Sequence, residues 1–173
     1  NKMLKNNKIL KIFTVLAVMI VSICMLTGCE KKESGKENKV EQEAFEEPIK
    51  NLVEGLGEAN SQKLLSAFPS FISDIMKDIF TDEQLKGVID ETKTEYGDNM
   101  KMTYSITNKE EISEEDLKTM QDDVKTTYSQ EITITKGYSV EAKITTKGDN
   151  KEDVDDENFK VYEIDGKWYL LEL

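Results

Sequence analysis

The side chains from which this chain of 173 residues could build chemistry are two cysteines, Cys24 and Cys29, 35 carboxylates, six tyrosines and one tryptophan. Histidine is absent and every basic residue is lysine. Without imidazole there is no Ser-His or Cys-His activation of a nucleophile, no HExxH zinc helix, and no general base with an unperturbed pKa near neutrality. Any catalysis would have to run on Asp, Glu, Lys, Tyr or Ser. Without guanidinium there is no planar fork for bidentate contact with phosphate or guanine, and a formal charge of −12 repels nucleic acid. Nucleic acid is therefore excluded as a partner.

Three groupings invite a closer reading. The run Gly148 to Phe159, GDNKEDVDDENF, offers Asp149, Asp153, Asp155 and Asp156 to a calcium ion. It fails the EF-hand template, because Lys151 takes the third position, the sixth is not glycine, and helical flanks are missing. It reads instead as a solvated turn between strands, and no metal or cofactor is expected. Tyr104, Tyr138, Tyr162, Trp168 and Tyr169 could line a pocket, since aromatics with polar tips often do so; plain burial of sheet residues accounts for them too. Glu114-Glu115 and Asp122-Asp123 fall opposite an apolar helix stripe and read as solubilising surface. No catalytic set emerges, and the sequence leans away from an enzyme without deciding the point.

Cysteine chemistry is set by position. Lys2, Lys5, Lys8 and Lys11 form a basic start free of acids, followed by the apolar run Ile12 to Leu26. That is the layout of an export signal. Its apolar part falls short of the roughly 18 to 20 residues that a bilayer-spanning helix needs, so cleavage is expected rather than a permanent anchor. The junction Leu26-Thr27-Gly28-Cys29 resembles the lipobox of bacterial lipoprotein precursors. The resemblance implies a diacylglyceryl group on the Cys29 thiol, cleavage between Gly28 and Cys29, and a mature protein held on the membrane by palmitate-type acyl chains. Cys24 follows the bulky Ile23 and is expected to leave with the signal peptide. Two chains anchor stably where one binds only marginally, at about 0.8 kcal/mol per buried methylene.

Three segments follow from this division: a signal peptide over 1–28, an acylated tether over 29–43 and a single globular domain over 44–173. From Glu30 to Gln42 the only apolar residue is Val40, which is too little to offset the entropy of ordering. Extended, those residues would reach up to about 45 Å. Loss of the first 28 residues leaves 19 lysines against 35 acids, a formal charge of −16 that reads as solubility.

The remainder predicts alternating helical and strand periods. Ile49, Leu52, Val53 and Leu56 mark a helix with Pro48 near its start. Asn60 and Ser61 cap a short helix that Pro69 separates from another over Phe71 to Ile79. Thr81 and Gln84 form a capping box for a helix with Leu85, Val88, Ile89 and Tyr96 on one side, ending at Gly97. Met100, Met102, Tyr104 and Ile106 alternate as a strand. Ser113 caps a helix bearing Leu117, Met120, Val124 and Tyr128. Strand alternation returns through Ile132 and Ile134, and again through Tyr138 to Ile144, with Lys136-Gly137 as a turn or a bulge between. Asp165-Gly166 is a hairpin signal. Tyr162, Ile164, Tyr169 and Leu171 fall on one face of that hairpin, and Phe159, Val161, Trp168 and Leu170 on the other, so both faces need cover.

The expected class is α+β: N-terminal helices packed on a curved antiparallel sheet of about four strands, with a helix inserted after the first strand. This order, with the segments GDN and DGKWYLL, resembles the cystatin-like or nuclear-transport-factor-like cone found in lipoproteins of Gram-positive bacteria. The resemblance implies a lipid-anchored protein on the extracytoplasmic face of the cell membrane, in the cell envelope. The expected function is a non-enzymatic module binding an envelope protein, a wall polymer or a small ligand. The alternative is a small-molecule binder or enzyme with an acidic residue and tyrosines inside the cone.

Overall fold

The computed structural model describes residues 43–172. Gly28, Cys29, the signal segment and the spacer through Gln42 lie outside the described residues. A single 3-10 turn, Ala44–Glu46, leads into α1 (Glu47–Gly57), with proline in its first turn. Ile49, Leu52, Val53 and Leu56 are no more than 1% exposed, as their spacing predicts.

Next, α2 (Ser61–Leu65) is capped by Asn60, whose side chain accepts from the Lys63 N–H. Pro69 precedes α3 (Ser70–Met76). This helix stops short of the expected Ile79, because Ile75 and Ile79 face outward, 60% and 38% exposed, and their burial cannot support another turn. The capping box forms at α4 (Asp82–Tyr96), with Thr81 accepting from Gln84 N–H and the Gln84 side chain accepting from Thr81 N–H. Leu85, Ile89 and Tyr96 are buried along it.

The strands β1 (Lys101–Glu111), β2 (Ile134–Lys147), β3 (Glu152–Ile164) and β4 (Lys167–Leu170) form one antiparallel sheet in sequence order, and α5 (Glu114–Tyr128) is inserted between β1 and β2. The α+β architecture is thus as expected. Register shifts between Ile106 and Asn108 and between Ile134 and Lys136 bend the sheet. The second rules out a turn at Lys136-Gly137: both residues pair in register within a continuous strand, and the bulge falls just before them, at Thr135. A Cβ on Gly137 would lie 2.8 Å from Leu117 Cδ2, so its missing side chain is what lets α5 lie against β2.

Asp165 (φ 52°) and Gly166 (φ 75°) make the two-residue turn of the β3–β4 hairpin, pairing Ile164 with Lys167, Tyr162 with Tyr169 and Val161 with Leu170. Both hairpin faces are covered. Phe45 packs its ring against Tyr138 and Trp168 on the side of the N-terminal helices, while Gly137, Tyr162 and Leu117 meet on the side of α5.

The acidic run departs from its expected form. Only Gly148 to Lys151 turn, and β3 begins at Glu152. Lysines on β2 explain the difference: Lys147 Nζ lies 2.6 Å from Glu152, and Lys143 pairs in register with Asp156, so opposite charges face one another across the strands. The turn is tied to the α4–β1 corner, where Asn99 donates to Asp149 through its backbone (3.2 Å) and side chain (3.1 Å) and Asn150 N–H donates to the Tyr96 carbonyl. Among the described residues no helix is long and apolar enough to cross a membrane.

Candidate functional site

The space between helices and sheet is lined by apolar side chains that solvent does not reach. Ile49, Leu52, Val53 and Leu64 from the helices and Val140, Ile144 and Val161 from the sheet are fully buried. An open groove of about 880 Å³ lies instead beside β4, at the end of the sheet. The Asp165-Gly166 turn returns the chain against β3 and leaves β4 as the last strand in the sheet order among the described residues. The loop between α2 and α3 runs along that edge, and the Leu170 N–H donates to the Ala67 carbonyl at 2.9 Å.

Four elements supply the walls: Glu47 and Asn51 from α1, Ser61 and Gln62 from α2, Ser70, Ser73 and Lys77 from α3 and its end, and Lys167, Trp168 and Tyr169 from β4. Asp82 lines the far end, where the backbone N–H of Ser61 donates to it at 2.7 Å. Side-chain and backbone hydrogen bonds from Ser61 hold its carboxyl below the usual carboxylate range. Lys77 pairs with Asp74 at 3.1 Å. Among the described residues, the side-chain polar groups of Asn51, Gln62, Ser70, Lys167, Trp168 and Tyr169 have no protein hydrogen-bond partner.

The Trp168 ring is held in place. Tyr138 stacks on it at 5.4 Å between centroids and 11° between planes, and Phe45 meets it edge-on at 6.3 Å. Lys109 lies 4.6 Å from the Phe45 centroid and pairs with Glu43, closing that cluster from outside.

No family model matches the chain, and no curated protein or solved structure does. The groove must therefore be read from its own chemistry.

Of the five aromatics named from the sequence, Trp168 and Tyr169 line the groove, and Tyr138 supports it from behind. Tyr104 stands apart, its hydroxyl 3.4 Å from Glu46 Oε2, with burial chiefly raising its pKa to about 12. Tyr162 is 2% exposed on the side of α5; its hydroxyl donates to Glu172 at 3.4 Å, and burial raises its pKa. Asn51, Gln62 and Ser70 carried no signal in the sequence, since each sits on a helix face with nothing local to mark it.

A second polar feature runs along β3, where Asp153, Asp155 and Glu157 alternate onto the face that carries Phe159 and Val161. Burial, then the charges of Asp155 and Asp156, push the Glu157 carboxyl up; burial, then Asp153, does the same to Asp155. Among the described residues no three acidic or thiol groups are arranged to hold a metal ion. The groove has the makings of reversible recognition: a fixed aromatic, two carboxamides, hydroxyls and balanced charges.

Proposed function

We propose that the chain is a lipid-anchored, extracytoplasmic binding module that takes its ligand in the groove beside β4. The observation that carries this reading is the pairing of a buried apolar interior with an external groove whose walls bring unpartnered polar groups around a fixed tryptophan. The lipobox Leu26 to Cys29 supports anchorage, with 29–43 as tether and 44–173 as the domain it carries. The alternative of small-molecule chemistry inside the cone draws support from the raised pKa of Glu157, and loses it to the apolar filling of that interior.

Cys29→Ala tests the anchor. Loss of palmitate labelling and release from the membrane fraction are expected, and continued labelling with normal retention overturns it. For the groove, a digest of cell-wall material added to the full chain is expected to shield Trp168 from acrylamide quenching. Unchanged quenching with wall, peptide and small-molecule fractions alike overturns that part.

A further inference from the structure

Resting on the groove reading above, we propose that the ligand is an uncharged, hydroxyl-rich oligosaccharide bound as an extended chain. Charge is the first reason. In a protein with formal charge −12, the groove sets Glu47 and Asp82 against Lys77 and Lys167, so its walls carry no net charge. Asp82 is engaged by Ser61 and Lys77 by Asp74, which further reduces any pull on an ionic ligand.

Hydrogen bonding is the second. Asn51 and Gln62 each present a donor and an acceptor, as does the Ser70 hydroxyl, and a sugar hydroxyl is likewise both at once. A ligand made of such groups can satisfy these side chains in either direction, whereas a carboxylate or phosphate could use only their donor ends. The third is the aromatic wall. Trp168, fixed by Tyr138 and half-buried at the groove wall, offers a flat apolar surface with a polar edge, which suits the C–H face of a pyranose ring, while Tyr169 reaches the groove from the opposite face of β4.

Shape and topology favour a glycan over a peptide. The groove is open to solvent, so its occupant need not be enclosed. A peptide adding to the free edge of β4 would need its main-chain groups, and the Leu170 N–H is already given to Ala67.

Trp168 is the only tryptophan in the chain, so emission excited at the long-wavelength edge, where the six tyrosines do not absorb, reports on this wall of the groove. The full chain, kept in a detergent without a sugar head group, would be titrated with a soluble β-1,4-linked N-acetylglucosamine tetramer. A saturable change in Trp168 emission is expected, weakened about tenfold or more by Asn51→Ala combined with Gln62→Ala, each of which removes a surface carboxamide from a helix without disturbing the core. If an acidic polymer or an extended peptide changes the emission and the tetramer does not, the groove stands and the oligosaccharide is wrong. If no probe changes it, the groove reading itself fails. A tetramer titration indifferent to both substitutions also overturns the proposal.

Discussion

The Tyr96 hydroxyl donates to Asp153 Oδ2 at 2.6 Å, joining the last residue of α4 to the start of β3. Lys151 completes the group, 2.6 Å from Asp153 and 2.7 Å from Glu95, with its ammonium 5.0 Å from the Tyr96 ring centroid. Burial pushes the Asp153 carboxyl up, but hydrogen bonds from Lys151 and Tyr96, with the lysine charge, outweigh it and hold the pKa below the usual range. Burial, followed by the bond to Asp153, raises Tyr96 to about 12.

That arrangement predicts an acid dependence. Asp153 has a lower pKa folded than unfolded, so its contribution is complete above the unfolded value of about 3.9 and is lost as pH falls through the folded value. Tyr96→Phe is expected to cost about 1 kcal/mol at neutral pH and to start the acid loss at higher pH, because Asp153 then has one fewer donor lowering its pKa. Urea denaturation at several pH values measures both, and an unchanged acid midpoint would show that the hydroxyl contributes nothing.

Glu157 has the opposite sign. Its pKa is raised in the folded state, so stability falls as pH climbs from the unfolded value of about 4.3 through the folded one, and the penalty persists at neutral pH. Glu157→Gln should therefore stabilise the protein at pH 7 by a fraction of a kcal/mol, the order of a like-charge contact within a sheet. The gain should vanish once both states are protonated. Thermal melts of the two proteins at neutral and acid pH would reveal whether the difference closes.

Gly137→Ala tests the seating of α5. The new Cβ would stand 2.8 Å from Leu117 Cδ2, 3.1 Å from Ile112 and 3.2 Å from Tyr162. Overpacking of this kind costs about 1–3 kcal/mol. Trimming Leu117 to Ala in the same chain should recover part of the loss. Additive effects in that double-mutant cycle would mean the two side chains do not meet.

Thr146 is fully buried, and its hydroxyl has no hydrogen-bond partner among the described residues. Valine keeps the shape and removes the polar atom, so Thr146→Val is expected to stabilise the protein by about 1 kcal/mol. A lower melting temperature would mean that the hydroxyl has found a partner in solution.

The legible parts of this protein are those settled by neighbours in the chain. The box formed by Thr81 and Gln84, the cap at Ser113 and the Asp165-Gly166 turn each close over two to four residues, and each forms where its spacing predicts. The α+β order follows from the periods between those markers. The length of β3 was not legible in the same way, because an acidic run is a poor strand until Lys143 and Lys147 stand opposite it.

By itself, then, the sequence determined the order of helices and strands, the faces of the final hairpin and the excluded chemistries, all consequences of residue type and local spacing. Only the tertiary structure decided which apolar residues close off the interior and that Asn51, Gln62, Ser70 and Trp168 share one groove. Those residues come from three helices and an edge strand 98 to 117 positions further on, and what brings them together is the packing of helices around the sheet, which no short-range pattern encodes.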